Sequence, residues 1–551
     1  MKKQYILLII MLCSSLYLAA CIESEKNTIN KQLDANTEAV YDEIGLSKYD
    51  SLVEISFVRE VSSGLKSLIS NFPGETLDDN RWTRLYEEIL GIKINYDWTA
   101  SGDIYHQKLD FSINSKEIPD VMLVNKEQLQ SLYNRDLIQD LTEVFDEYAT
   151  PFTQETLTQE GSATIETATI DGKLMAIPST SSFIESAEYV WIRTDWLENV
   201  GLTPPTSMEE LLEISQAFVE KDPDQDSMKN TYGLALSNYL WDPVAGVNSF
   251  FAGFDAYPLL WIENEEGRLE YGGIQPEIKA ALQTLQDMYR MNEIHEDFYI
   301  QKGENIKELI KKDKIGIVYG EQWSSFFIQE GRSKAVWKAY PIVTLQNKEL
   351  KVPLRFNAFQ FFVVSKDFKH PEAILKLFNL YLEKNWGETA EYEKYYSTPY
   401  PAWQMSPVTP YPPKKNYEAY LQIKEGRQTG DFSQLSPEAE TIEQLIRSYE
   451  ESGINRFAGL GWYLTYGETG ALSVFEQYDK YNQLLYDKFT GPPTSTMVER
   501  EEFLKQYQHE TYMNIILGAS IDEFDTFVEK WKELGGTQIT TEVNEWYSNN
   551  K

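Results

Sequence analysis

The sequence predicts an α/β protein with a largely parallel sheet, and two observations carry that expectation. Short apolar runs of strand character alternate along the chain with amphipathic runs of helical period. Only two cysteines occur, Cys13 and Cys21, so an apolar core must hold the fold where a disulfide framework would otherwise.

The elements follow in order. Val53, Ile55 and Phe57 alternate with Glu54 and Ser56, which predicts a first strand. Trp82, Leu85, Ile89 and Leu90 share a helical face that stops at Gly91, and Ile92, Ile94 and Tyr96 predict a second strand. Residues 119–124 read as a short buried strand. Asp171 to Pro178 reads as a turn leading into an extended segment, and Tyr189 to Ile192 starts a new strand. Pro204 and Pro205 precede a helix over Ser207 to Phe218, for which Thr206 and Glu209 predict a capping box, with Met208, Leu211, Leu212 and Ala217 on the buried side. Ile315 to Tyr319, ending at Gly320, and Phe359 to Val364 predict two more strands. Pro407 to Pro413 is irregular. The last helix, Asp522 to Leu534, places Phe524, Phe527, Val528, Trp531 and Leu534 on one side and is expected to end at Gly535-Gly536. No internal repeat is evident.

The first twenty residues have a different purpose. Lys2 and Lys3 precede an apolar stretch from Tyr5 to Tyr17, and small residues follow in Leu18-Ala19-Ala20-Cys21. A bilayer span needs roughly 20 apolar residues, more than this stretch supplies. The pattern resembles a bacterial lipobox, which implies cleavage before Cys21 and its lipidation, for example by palmitate. Two or more acyl chains on one terminus anchor a protein stably. The alternative is an ordinary cleaved signal with a chance cysteine. The polar segment after it reads as a flexible tether.

The formal charge is −36. Such a field opposes nucleic acid and anionic lipid, and no basic run offsets it, so polynucleotide partners are not expected. Salt screens the field beyond about 8 Å, so acidity alone does not name the ligand. Aromatic residues make up 13% of the chain, including 35 Tyr and 13 Trp, a supply of flat apolar faces with polar handles that suits both cores and sugars.

Several separated segments carry a family resemblance. They are Trp191 to Leu197 with Val200-Gly201-Leu202, the DPDQDSMKNTYG run at Asp222–Gly233, GPPTSTMVER at Gly491–Arg500, the run Ile515–Gly536 and EVNEWY at Glu542–Tyr547. On these the chain resembles the extracellular solute-binding lipoproteins of bacterial ABC importers, the LplA-like group within solute-binding protein family 1 of Gram-positive bacteria, associated with saccharide uptake. The resemblance implies a periplasmic-binding-protein-like fold of two α/β lobes joined by a hinge, with ligand in the cleft between them. It divides the chain into a lipoprotein signal peptide at 1–20, a flexible tether at 21–49, an N-terminal lobe at 50–180 and 340–400, and a C-terminal lobe at 181–339 and 401–551. It further implies a monomer on the outer face of the cell membrane, lipid-anchored at Cys21. Such a protein captures an oligosaccharide and docks on ABC permease subunits; it is not an enzyme. Closure then shifts the receptor to a shape that differs from the empty one.

Asp222, Asp224 and Asp226 at alternate positions, the Met228 carbonyl, Asn230 and Thr231 supply hard oxygens at the spacing of a calcium loop, and relatives with an alginate-binding receptor's loop hold calcium with that spacing. Ser227 stands in place of the usual glycine and Gly233 in place of the bidentate Glu, so a structural Ca2+ site and a solvated acidic turn are both compatible with the residues. Trp323, after Tyr319-Gly320-Glu321-Gln322, resembles the sugar-stacking Trp of maltose-type receptors; the other reading is a core Trp. Trp241, Trp403 and Trp462 have loop-forming neighbours and are further ligand-binding candidates. Arg193 is either a ligand contact or half of an ion pair with Asp195. Covering about 50 Å² of sugar face contributes about 1.3 kcal/mol, whereas micromolar affinity takes about 8 kcal/mol. Several rings and polar groups are therefore required, which favours an oligosaccharide.

Two other classes stay open on the residues alone. A surface glycoside hydrolase or lyase needs only a suitably spaced carboxylate pair, and 86 acidic residues supply many. Against it, His106, His295, His370 and His509 are isolated, and no HExxH, G-x-S-x-G or Gly-rich phosphate loop occurs. A ligand sensor shares the binding chemistry and differs in its partner. Peptide ligands also suit an aromatic cleft.

Overall fold

The structure is a computed structural model. It describes residues 40–550 except 42, 181, 329–334, 347, 357–359, 398–399 and 453–455, and no side chain at 452 or 456–458. The lipobox, Cys21 and most of the proposed tether lie outside the described residues. Among the described residues no helix is long and apolar enough to cross a membrane.

The chain forms two compact units, each assembled from three stretches. The smaller takes the chain up to 122, with 137–154 and 364–410; the larger takes 123–136, 155–363 and 411–551.

In the smaller unit β1 (Val53–Glu60) runs parallel to β2 (Ile92–Ala100), with Val53 opposite Ile92 and a register shift between Phe57 and Val58. The third strand, β3 (Val121–Val124), lies parallel on the other side, Phe57 facing Val121. The connection between β1 and β2 carries the helix Arg81–Leu85, which Asn80 and Thr83 cap reciprocally and which ends in one wide turn, Tyr86–Leu90. Trp82 on that helix is fully buried and stacks on Tyr381 at 4.6 Å between centroids. Among these three strands the pairing is parallel, as expected from the alternation of elements.

The larger unit departs from it. Its central sheet contains β4 (Glu188–Arg193), β5 (Tyr232–Leu234), β6 (Ile315–Glu321) and β7 (Trp337–Tyr340), in the order β7-β4-β6-β5. Strand β4 is antiparallel to both neighbours, and only β6 and β5 pair in parallel. Every residue of β4 and β6 is buried, so both read as continuous rather than alternating apolar runs. The helix Met208–Glu220 covers the sheet with Leu211, Ile214 and Phe218. It approaches β6 at Gly316, where a Cβ would stand 2.2 Å from the Phe218 ring. Only glycine fits that contact.

One element boundary differs from that read off the sequence. Ser207, with φ −143°, is the N-cap and accepts from the Glu210 N–H, while the Thr206 N–H and hydroxyl donate to Glu210, so the cap lies one residue later than Thr206 and Glu209 predict. The C-terminal helix begins at Glu523, with Asp522 as its N-cap, and ends as expected at Gly535, whose φ of 131° is non-helical; a second helix, Thr537–Asn550, follows across that kink. Leu534 is exposed, whereas Phe524, Phe527 and Trp531 are buried as expected.

Candidate ligand-binding site

The antiparallel register of β4 and β6 sets Glu188 opposite Glu321 at one end of the larger unit's sheet. Both are buried. Glu188 Oε2 accepts from the Ser249 N–H at 3.0 Å, and its Oε1 has no hydrogen-bond partner among the described residues. Glu321 Oε1 accepts from Arg355 Nη2 at 3.2 Å, and Oε2 accepts from the Trp323 indole N–H at 2.7 Å. Burial, with Glu188 and Glu185 facing it, pushes Glu321 up to about 8 against the pull of Arg355. Trp323 is 38% exposed, so its ring is available while its N–H is tied down. The stacking geometry expected of Trp323 is thus compatible with its position.

Arg355 also lines a cleft of about 540 Å³ within the larger unit. Its walls come from four distant stretches of sequence: Lys126; Tyr239, Trp241, Trp261 and Tyr271; Phe356; and Asp487, Glu501, Lys505 and His509. That volume lies within the range of roughly 300–1,000 Å³ typical of small-molecule sites. Tyr239 is 53% exposed and leans on His509 at 5.7 Å between centroids. Trp241 is only 6% exposed and packs edge-on against Tyr512, so it contributes a wall more than a free face. At the floor, Asp487 Oδ1 accepts backbone N–H groups from Trp261 and Phe489 at 3.0 and 3.2 Å, and burial pushes Asp487 up to about 7. Lys126 lies over the Phe356 ring at 5.7 Å, and burial lowers its ammonium below the usual range. His509 is lowered by burial too, its Nε2 3.1 Å from the Asn238 carbonyl. The arrangement offers rings, cations and acceptors in one concavity, the inventory a polyhydroxylated ligand requires.

The remaining aromatic candidates are elsewhere. Trp403, in the smaller unit, stacks on Tyr396 at 5.9 Å. Trp462 packs edge-on against Phe326 at 4.9 Å and beside Tyr466. Neither lines the 540 Å³ cleft. Arg193 is 3% exposed, its guanidinium held by Asp195 at 2.7 Å and Asp313 at 3.0 Å and lying over the Trp196 ring. Of the two readings of Arg193, the interior ion pair describes its surroundings. A second cleft of about 440 Å³, between the helices Lys415–Thr429 and Ala471–Lys480, includes Tyr420, Lys424, Arg427, Tyr466 and Tyr481. Two of its cations are already committed, Lys424 to Glu476 and Arg427 to Glu443 and Glu450. Sequence inspection singles out Trp241 and Trp323 but misses Tyr239, Trp261, Arg355 and His509, which become neighbours only through folding.

The acidic loop follows the helix Met208–Glu220. Carboxylate oxygens of Asp222, Asp224 and Asp226 lie within 4.8 Å of one another. Oδ1 of Asp222 and Oδ1 of Asp224 are buried without a hydrogen-bond partner among the described residues. Ser227 adopts φ 65°, the left-handed conformation that a calcium loop ordinarily gives to glycine. Lys314 Nζ sits 3.3 Å from both Asp224 and Asp226 and bonds Asn230 Oδ1. Burial raises Asp224, with Asp226 adding to the effect. Met228 turns its side chain outward, and the buried Thr231 hydroxyl donates to the Phe218 carbonyl at 2.6 Å. Partnerless buried carboxylate oxygens fit a hard cation, with Lys314 as the competing positive charge.

Comparison with known proteins places this geometry. The polygalacturonan/rhamnogalacturonan-binding protein YtcQ of Bacillus subtilis (strain 168) is 31% identical over 152 residues, 28% of this chain and 29% of YtcQ, so the likeness spans under a third of that relative. Lipoprotein LipO of the same organism is 22% identical over 495 residues, 87% of this chain and 91% of LipO. Among solved structures, the alginate-binding protein AlgQ2, crystallised without calcium ion, superposes with a TM-score of 0.60 at 14% identity, covering 91% of this chain and 99% of AlgQ2. That likeness carries the periplasmic-binding-protein-like α/β fold. The profile of bacterial extracellular solute-binding proteins matches residues 69–388, and the chain belongs to that family.

Proposed function

We propose that this protein captures an oligosaccharide outside the cell and hands it unchanged, by hinge closure, to an ABC permease. The observation that supports it most is the 540 Å³ cleft of the larger unit, in which the exposed Tyr239 ring, the Trp241 and Trp261 walls, and the polar groups of Arg355, Lys126 and His509 converge. Trp323 adds an exposed ring held by Glu321. Family membership supports solute capture, and the saccharide class rests on the names of YtcQ and AlgQ2. Cys21 is the proposed lipid anchor, consistent with the lipoprotein relative. Asp222, Asp224, Asp226, the Met228 carbonyl, Asn230 and Thr231 are the proposed calcium set, a structural ion that stiffens the loop and takes no part in ligand chemistry. Trp403 and Trp462 remain proposed ligand contacts of lower rank, since each is packed against other rings. The protein is proposed to act as a monomer.

A panel of defined oligosaccharides, neutral and uronate-containing, tests the function. Thermal stabilisation by one class, with the sugar recovered intact by mass spectrometry, is the expected result. Steady release of cleaved or unsaturated fragments would make the protein an enzyme.

A further inference from the structure

Trp323 stands two residues beyond the point where β6 leaves its antiparallel partner, in a turn pinned from several sides. Gln322 Nε2 donates to Glu185 Oε2 at 2.8 Å, and Asn416 Nδ2 donates to the same carboxylate. The Gln322 carbonyl accepts from Thr465 Oγ1 at 3.3 Å, and the Ser325 and Thr465 hydroxyls are 2.6 Å apart. These contacts fix the backbone but leave the indole free to rotate about its own torsions. The Glu321 carboxylate removes that freedom by accepting the indole N–H at 2.7 Å. Its other oxygen is tied to Arg355, whose own backbone N–H donates to Ser186 Oγ at 2.9 Å. The chain Ser186, Arg355, Glu321, Trp323 therefore runs from the short helical turn Ile184–Ser186 to an exposed ring face.

We propose that Glu321, braced by Arg355, is the positioning residue of Trp323: it holds the indole in one rotamer so that the exposed face stands ready for a sugar ring. The proposal rests on the reading of Trp323 as a stacking platform. Ordering a side chain before binding removes a cost otherwise met on binding, which corresponds to about three- to ten-fold in affinity. The charged and titratable groups facing Glu321 are Arg355, Glu188, Glu185 and Tyr189, and Asp242 in turn faces Glu188. Glu321 titrates near 8, so the indole N–H of Trp323 reports its protonation.

The test uses the full chain labelled with ¹⁵N at its indoles, with the Trp323 resonance assigned by its loss in W323F. In the wild type that resonance shifts with pH, with a midpoint near 8. In E321Q it keeps a hydrogen-bonded position, because the amide oxygen still accepts, but no longer titrates; in E321A it moves to a solvent-exposed position. With trigalacturonate and maltotriose as probes, E321A weakens binding about three- to ten-fold, while E321Q stays close to wild type. A Trp323 resonance that ignores pH and is unchanged in E321A overturns the proposal, and should E321A not fold, the wild-type and E321Q titrations decide it. If the resonances behave as described but W323F binds both sugars as the wild type does, the platform reading fails while the bond between Glu321 and Trp323 stands.

Discussion

Glu188 and Glu321 face each other across β4 and β6, two buried carboxyls with Arg355 as the cation that draws both down and burial pushing both up. Two such buried groups make stability depend on pH. Glu321 titrates near 8 in the folded chain and near its ordinary 4.5 when unfolded. The folded state therefore holds a proton that the unfolded state releases, and stability falls as pH rises from about 4.5 to about 8. E321Q is expected to flatten that decline, read as urea midpoints at pH 5, 7 and 9; parallel curves for the variant and the wild type would contradict it.

The calcium site proposed at Asp222, Asp224 and Asp226 predicts a metal dependence. Chelation is expected to lower the melting temperature by several degrees, and refilling with Ca2+ to restore it. D222N combined with D224N removes the response. K314M removes the competing ammonium beside Asp224 and Asp226 and is expected to raise calcium affinity in a calorimetric titration. A protein that retains no metal and melts identically after chelation has only an acidic turn there.

Gly316 predicts a packing effect. G316A places a methyl group 2.2 Å from the Phe218 ring, which is held between Trp196 and the sheet. Overpacking of this kind costs about 1–3 kcal/mol. Chemical denaturation should show that loss with sugar affinity unchanged in the folded fraction.

Arg193 predicts a separation of stability from binding. R193M leaves Asp195 and Asp313 without their shared partner in a mostly buried site, at a cost of about 3 kcal/mol. Oligosaccharide affinity of the folded protein should not move. A large loss of affinity with intact stability would return Arg193 to the ligand site.

Much of the fold is legible in local pattern. Val53, Ile55 and Phe57 alternate because β1 buries one side more than the other, and Asp222, Asp224 and Asp226 are visible because loop ligands sit close in sequence. The antiparallel course of β4 is not legible, since a strand buried throughout carries no period that tells direction. Of the proposed cleft only the conspicuous Trp241 ring is legible; Trp323 stands out too, but it does not line the cleft and touches it only through Glu321 and Arg355. Arg355 and His509 reach the same cleft from positions more than 150 residues apart, and nothing local marks either. Arg193 is ambiguous in sequence because an arginine two residues from an aspartate suits a ligand clamp and an interior ion pair alike; Asp313 settles its surroundings from 120 residues away.

The most direct test of saccharide capture by the cleft and the Trp323 face is a calorimetric titration of the wild type, Y239A and W323F with the oligosaccharide that stabilises the protein best. Each variant is expected to bind at least about ten-fold more weakly, a loss of about 1.4 kcal/mol, with the same stoichiometry and an intact sugar at the end. Undiminished affinity in both variants would contradict the account, because the ligand would then be held somewhere other than against these two exposed rings.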